Sequence, residues 1–197
     1  MATNPYVNKV IYYGTTLIDI SDTTATAEDV VSGKVFYLAD GTRCVGSMTQ
    51  DLLLIDDGVI QSNPYGITQM TGATLSGTSL TVGVTVSSTW TGTTSVNGVT
   101  NGLIDWSKYS RMQIVYSMNF ENRSGFTGQA NGYISIGNTN VITRTRTQSV
   151  TNASETIDLT NFNDMASVGM SAYLNKTNTS GVGANSNVYI NRVMLYA

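Results

Sequence analysis

The sequence contains no histidine, one cysteine and two prolines, and only 12% of its 197 residues are charged. Without histidine, the Ser-His-Asp and Cys-His catalytic arrangements and histidine metal sites are excluded. Cys44 by itself forms neither an intrachain disulfide nor a thiolate metal cage. No stretch approaches the roughly 20 apolar residues that span a bilayer, and the N-terminus lacks the features of an export signal. We therefore expect no cofactor, no metal site, no signal peptide and no membrane partner.

Clustered positive charge is also missing. Ten Lys and Arg residues stand against thirteen Asp and Glu residues, a net charge of -3, without any run of like charges. Phosphate backbones are bound by clustered cations, so a nucleic-acid partner is not expected. The Gly-containing stretches GTTSVNG (92–98) and SGVGANSN (180–187) lack the Lys-Ser/Thr of a phosphate-binding loop, and we interpret both as ordinary loops.

The residues that are abundant favour strands and turns. There are nineteen Gly and eleven Tyr, with many Thr, Ser and Asn. Apolar residues alternate with polar ones in 80–86 and 112–120, the period of a half-buried strand. Further strands are predicted at 132–136, 141–147, 156–159, 167–174 and 188–196, with loops at 121–128 and 175–187. The pattern predicts an all-β fold in which an antiparallel, jelly-roll-like β-sandwich follows a small N-terminal module of strands, a short helix and a hairpin.

The N-terminal module shows the most specific local chemistry. Thr26 is a good helix N-cap, Asp29 completes a capping box, and Gly33 suits the left-handed position at a helix C-terminus. Asp40 and Gly41 supply the turn of a hairpin. A unit of this size is marginal by itself. We therefore expect it to pack on another chain or on a second copy of this chain.

Three segments carry a resemblance to known proteins. They are the strand pair VNKVIYYGTTLIDIS, the capped helix TATAEDVVSGK and the hairpin that ends at Gly46-Ser47-Met48. Together they resemble a module that recurs in tail-fibre, baseplate and other appendage proteins of phages and prophages. The stretch NGLIDWSKYS (101–110) and the last predicted strand are similar to carbohydrate-binding jelly rolls.

The resemblance implies an assembly or attachment module in residues 1–50 and a lectin-like sandwich in residues 51–197. It implies a homo-oligomer, a trimer if the protein is a fibre, with other virion structural proteins as partners. Assembly in the host cytoplasm and a place in the virion follow from it. The expected function is a tail-fibre or baseplate subunit that contacts a host-surface glycan or builds the fibre. The alternative is a capsid decoration or head-fibre protein without a receptor role.

An enzyme is not expected, although glycoside hydrolysis needs only two positioned carboxylates. The adjacent Asp56 and Asp57 precede Gly58 and are more simply explained as a hairpin turn. The other acids are scattered along the sequence. Calcium bound by Asp56, Asp57 or Asp164 with backbone oxygens is left open.

Three residues are the candidates for glycan contact. Trp90 follows a strand among small polar neighbours, where its ring either contacts a sugar or packs on the core. Arg144 and Arg146 share one face of a predicted strand, where two guanidinium groups either hold a sugar carboxylate or phosphate or form a solvated edge. Trp106 is predicted to lie in the core. The same prediction covers Met112, Met118, Met165, Met170 and Met194.

Overall fold

The computed structural model describes residues 7–120, 124–179 and 182–197. The chain divides into two compact units, residues 1–50 and residues 51–197. Both predicted loops, 121–128 and 175–187, extend partly outside the described residues. Within the described ranges no helix is long and apolar enough to span a membrane.

The first unit contains two hairpins. Strand β1 (Lys9–Tyr12) pairs with β2 (Thr15–Asp19), and β3 (Val35–Tyr37) pairs with β4 (Arg43–Val45). Tyr13 and Gly14 connect β1 to β2 with φ of 48° and 77°, and two positive values are typical of the two-residue turn that matches strand twist.

The predicted short helix is a single 3₁₀ turn, Ala27–Asp29, that ends at Val30 in an extended conformation. Gly33 has the positive φ that we predicted, +81°, but it does not terminate a helix. It follows Ser32 in a turn that the Lys34 N–H closes on the Val31 carbonyl at 3.0 Å. The 3₁₀ turn does not continue into a longer helix, because the Val30 backbone is already extended. The Val30 carbonyl accepts a hydrogen bond from the Met48 N–H at 3.0 Å instead of from a following helical turn.

The second unit is built from strands. In chain order they are β5 (Leu52–Asp56), β6 (Val59–Ile60), β7 (Met70–Thr71), β8 (Thr74–Ser76), β9 (Ser79–Val86), β10 (Gly92–Thr100), β11 (Ile104–Asp105), β12 (Arg111–Phe120), β13 (Gly128–Ile136), β14 (Thr139–Thr145), β15 (Val150–Asp158), β16 (Met165–Ala166), β17 (Val168–Lys176) and β18 (Ala184–Tyr196). One further 3₁₀ turn, Trp106–Lys108, precedes β12.

In the described part of the chain these strands form two main antiparallel sheets. The five-stranded sheet has the order β14-β13-β17-β10-β7. The seven-stranded sheet has the order β15-β12-β18-β5-β6, with β9 beside β18 and β8 beside β9. A short pair, β11 and β16, lies apart from both sheets.

The two sheets pack face to face. A Cβ placed on Gly132 of the five-stranded sheet would lie 2.7 Å from Met118 Sδ and 2.9 Å from Val188 Cγ2 of the other sheet. A Cβ on Gly98 would lie 3.0 Å from Val82. Glycine at these two positions therefore allows the sheets to approach closely. The predicted antiparallel β-sandwich is confirmed.

Most predicted strands are present, and the core residues alternate as expected. Met112, Met118 and Met170 are buried, and Trp106 is fully buried. Met165 is 54% exposed, so its prediction as a core residue was wrong. It lies in the short strand β16, outside the main sheets, where the neighbouring β11 pairs with its backbone and leaves the side chain uncovered.

The interpretation of GTTSVNG as a loop was wrong, because residues 92–98 lie in β10. The same interpretation of SGVGANSN was wrong for residues 184–187, which lie in β18. Strand β10 pairs with β17 from Gly92 opposite Lys176 to Val99 opposite Gly169, and its last residue, Thr100, lies opposite Met70 of β7. Its inward positions include Gly98 and Thr100, which are buried although neither is a large apolar residue. A strand whose buried residues are small or polar carries no hydrophobic alternation, so the sequence pattern did not reveal it.

Candidate functional site

Trp90 lies at one end of the sandwich, next to a buried lysine. The Lys176 ammonium group donates to the backbone carbonyls of Ser88, Trp90 and Asn178 at 2.7, 2.9 and 2.6 Å, and its side chain is fully buried. Three donors on one ammonium group are thus matched by three acceptors. Lys176 therefore joins the β9–β10 loop to the chain that follows β17. Sequence reasoning missed it, since a single Lys at a strand end gives no signal of burial.

The Trp90 side chain is half-buried and packs against the edge of the core. Its ring lies over Gly92, where an added Cβ would be 3.3 Å from the ring atom Cζ2. One part of the indole therefore packs on the core and the rest is exposed, so contact of Trp90 with a sugar stays a prediction.

Arg144 projects from edge strand β14 toward the opposite sheet. Its guanidinium forms an ion pair with Glu155 of β15, the edge strand of the other sheet, and lies 5.9 Å from the ring centroid of Tyr116. The Tyr116 hydroxyl also donates to Glu155. Burial of Tyr116 and its bond to Glu155 raise the Tyr116 pKa above its usual value. Arg144 lies on an edge strand, as the solvated-edge alternative required, but its side chain is only 26% exposed.

Arg146 lies on the same side of β14 as Arg144, as predicted. Its Nη1 donates to the Phe126 carbonyl at 3.0 Å, and its guanidinium stacks on the Phe126 ring with 5.1 Å to the centroid. Both guanidinium groups are therefore engaged by the protein. An anionic sugar would have to compete with Glu155 for Arg144.

The three candidate residues do not converge. Gly92, Gly128 and Lys176 are neighbours in register, so Trp90 and Arg146 lie at the same end of the five-stranded sheet. Trp90 lies just before β10 and Arg146 just after β14, and these two strands are separated by β17 and β13. Three strand spacings amount to about 14 Å. Trp90 is thus separate from the arginine pair.

The outer face of the five-stranded sheet is a polar surface without charged side chains among its described residues. Tyr133 and Tyr173 lie on adjacent strands, each half-buried. The Asn131 amide donates to the Tyr133 hydroxyl at 2.9 Å, and Ser171 donates to Asn97 Oδ1 at 2.6 Å. The Asn131 amide and the Asn97 side-chain carbonyl are therefore already bonded to protein. Tyr173 was not identified from the sequence as a residue of this outer face. An alternation with a period of two does not by itself show which face of a sheet is the core and which faces solvent.

A groove of about 640 Å³ opens at the opposite end of the sandwich. It lies between the β13–β14 turn, which contains Gly137 and Asn138, and the segment from Asn161 to Ser167. Trp106 forms part of its floor. No pattern in the sequence indicated this groove, because its walls come from segments that are distant along the chain.

Of the residues predicted for the N-terminal module, Thr26, Asp29, Asp40 and Gly41 form the local bonds expected of them, whereas Gly33 does not end a helix. Asp29 Oδ2 accepts from the Thr26 backbone N–H at 2.9 Å and from the Thr26 hydroxyl at 2.8 Å. The bond from the Thr26 N–H holds the Asp29 pKa below its usual value. Gly41 has φ of 84° and donates to the Leu38 carbonyl at 2.9 Å, while Asp40 Oδ1 accepts from the Thr42 N–H at 2.8 Å. This is a three-residue hairpin loop with glycine in the left-handed position.

The same module has almost nothing buried. Among residues 7–50 only Gly41 and Gly46 are buried. Large apolar side chains are exposed on both hairpins, for example Ile11 at 57% and Leu17 at 60%. The complete set is Val7, Val10, Ile11, Tyr12, Tyr13, Leu17, Ile18, Val35, Tyr37 and Val45. Hydrogen bonds, rather than a core, hold this unit in shape.

The acidic residues considered for catalysis or calcium lie in ordinary surroundings. Asp57 and Gly58 form a two-residue turn between β5 and β6, with φ of 47° and 71°, as predicted. Asp56 Oδ1 lies 3.8 Å from Arg192 Nε. In the described ranges, no group of three or more His, Cys, Asp or Glu residues is placed to hold a metal ion.

No protein-family model and no curated protein matches this chain. Among solved structures, a family two carbohydrate esterase from Cellvibrio japonicus aligns at 15% identity with a TM-score of 0.28, over 74% of this chain and 32% of the esterase. A CBM4 structure aligns at 15% identity and a TM-score of 0.26, over 68% of this chain and 83% of its own length. The VP2 subviral particle of infectious bursal disease virus aligns at 15% identity and a TM-score of 0.27, over 70% of this chain and 44% of that one. The aligned part thus spans about a third of the esterase. Similarity this low assigns neither a family nor a function.

Proposed function

We propose that this protein is a structural subunit of a bacteriophage virion, a tail-fibre or baseplate component without enzymatic activity. Residues 1–50 are its assembly module, and the sandwich contacts the host surface. The observation that carries the proposal is the combination of a phage-appendage-like sequence in residues 1–50 with the absence of buried side chains in residues 7–50. A unit with exposed apolar hairpins gains stability when a second surface covers them.

The expected partners are two further copies of this chain, which would form a trimer, and other structural proteins of the virion. Closed symmetry would bury the same apolar surface on every copy and leave none exposed. The sandwich supports a contact role by its architecture, because its strand connections gather polar loops at its two ends. Assembly would take place in the host cytoplasm.

The test is the position of the chain on intact particles of the phage that encodes it, located by gold-labelled antibody and electron microscopy. Label at the distal tail or baseplate is the expected result. Label on the head would replace the proposal with the alternative, a capsid decoration or head-fibre protein. Label on no particle would overturn the virion assignment itself.

A further inference from the structure

The groove opposite the Trp90 end has the dimensions of a ligand site. Its volume of about 640 Å³ lies within the range of about 300 to 1,000 Å³ that is typical of small-molecule and cofactor sites. It is a groove rather than a flat surface, and a concave surface buries a larger share of a ligand than a flat one. The groove therefore has a volume compatible with a bound small molecule or a short oligosaccharide segment.

The polar side chains of the groove are available for a ligand. Asn138, Asn161, Asn163 and Asp164 line it and are exposed. None of these four side chains makes a hydrogen bond or ion pair with another described residue. By contrast, the Asn131 amide and the Asn97 carbonyl on the outer sheet face are already bonded. Free amide groups supply both donors and acceptors to hydroxyl groups.

Apolar side chains complete the groove. Phe162 is half-buried in its wall, and Leu103 and Met165 are 50% and 54% exposed beside it. Exposed large apolar residues next to unbonded amides fit a ligand that has both C–H faces and hydroxyl edges. A pyranose ring has this composition, and aromatic side chains commonly cover its C–H face.

The walls are held in place by the sandwich. The Trp106 indole N–H donates to the Ala166 carbonyl at 3.0 Å, and β11 pairs with β16 on the same side. The Gly137 N–H donates to the Ser167 carbonyl at 2.8 Å, which joins the β13–β14 turn to the facing segment. A site that is fixed before binding loses less conformational entropy when it is occupied.

Charge selects the class of ligand. Asp164 is the single charged residue among those that line the groove, and it is negative. A phosphate, uronate or sialate would meet this carboxylate without a compensating cation. We propose that the groove binds an uncharged glycan segment built from hexose or N-acetylhexosamine units. This inference rests on the proposed host-surface role of the sandwich, and it moves the contact away from Trp90, Arg144 and Arg146.

The test begins with the purified full-length chain on a printed array that carries uncharged hexose and N-acetylhexosamine oligosaccharides beside sialylated, uronic-acid and phosphate-bearing ones. The best uncharged binder is then titrated against the wild type and against the variant N161A/N163A/D164A. These side chains are exposed and unbonded, so the variant should melt like the wild type. We expect its dissociation constant to rise about tenfold or more.

Two matched variants mark the competing surfaces: Tyr173→Ala on the outer sheet face and Arg144→Gln at the sheet edge. Both should bind the uncharged glycan as the wild type does. Retained affinity in the triple variant, loss of affinity in either control alone, binding of anionic glycans only, or binding of no glycan would each overturn the inference. In the wild type, ligand-induced NMR shifts of the Asn138, Asn161 and Asn163 side-chain amides give a readout that does not depend on a variant.

The outcomes separate this inference from the proposed function. A chain that is located on the tail and binds no uncharged glycan overturns the groove inference and leaves the virion role intact. A chain that is absent from particles and binds an uncharged glycan in the groove overturns the virion role and leaves the groove inference intact.

Discussion

Lys176 shows how one side chain organises an end of the sandwich. A buried ammonium group loses its hydration, and it is tolerated only where other acceptors replace the water. Three backbone carbonyls provide these acceptors, those of Ser88, Trp90 and Asn178. None of the described residues that accept a hydrogen bond from the ammonium group is acidic. The lysine therefore determines where the β9–β10 loop lies, and with it the orientation of Trp90.

Replacing Lys176 with Met keeps the length and apolar stem of the side chain but leaves three carbonyls unbonded. We expect a loss of about 3 kcal/mol in the free energy of unfolding, measured by urea titration. Lys108→Met is the control, because Lys108 is about half exposed in a 3.6 Å pair with Asp105 and should cost less than about 1 kcal/mol. Equal stability of the two variants would contradict the structural role of Lys176.

Two buried tyrosines predict sensitivity to alkali. Burial, with a hydrogen bond to Glu155 for Tyr116 and to Tyr65 for Tyr109, raises both pKa values above the ordinary value of 10.0. In the unfolded chain these hydroxyls ionise near their ordinary pKa, so the folded state binds more protons at high pH. Stability should be complete below about pH 10 and should decrease above it.

The measurement is a series of urea titrations from pH 7 to 11 on the wild type and on Tyr116→Phe. The variant should lose less stability between pH 9 and 11 than the wild type, because one of the two ionising groups is gone. Tyr173→Phe serves as the control, since its ring lies on the outer face and is half-buried. A steeper alkaline loss in Tyr116→Phe would show that the argument is wrong.

At the scale of elements, the turn that contains Gly33 connects the 3₁₀ turn to β3. Gly33 has φ of +81°, and a Cβ at this position would meet no atom within 4 Å. Gly33→Val should therefore act through backbone strain alone, which should lower the stability of this turn by about 1 to 2 kcal/mol.

The measurement is hydrogen exchange of the backbone amides of residues 33 and 34, which donate to the Gly46 and Val31 carbonyls. Gly33→Asn, which tolerates this conformation better, should exchange more slowly than the Val variant. Identical exchange in the wild type and in Gly33→Val would refute the argument.

The elements also show which signals the sequence carried. Strands β9 and β12 were predicted because their inward residues are large and apolar. Strand β10 was not, since Gly98 and Thr100 fill its buried positions. The bonds of Thr26 and Asp29 were predictable because both partners lie within three residues. The bond from Arg144 to Glu155 was not, because it depends on which strands form the edges of the two sheets.

At the scale of the whole molecule, the exposed hairpins of the first unit predict self-association. We expect the full-length chain to be a trimer in size-exclusion chromatography with light scattering. The variant I11K/L17K should be monomeric at the same concentration, because charges on an apolar contact surface oppose its burial. Its sandwich should retain the wild-type melting temperature.

Val59→Lys and Leu75→Lys are the matched controls, since both residues are exposed and apolar but belong to the second unit. They should leave the oligomer unchanged. A wild type that is monomeric at every concentration would contradict the assembly role of residues 1–50. So would a trimer that survives in I11K/L17K and dissociates in the controls.

The sequence by itself determined the all-β class, the main alternating strands and the local turns, because each depends on residues that are close along the chain. It also excluded histidine chemistry and intrachain disulfides by composition alone. Tertiary structure decided the burial of Lys176, the engagement of both arginines and the position of the groove. These features join segments separated by tens of residues, such as Asn138 and Asn161 or Lys176 and Ser88. Their proximity follows from strand order, which local sequence patterns do not specify.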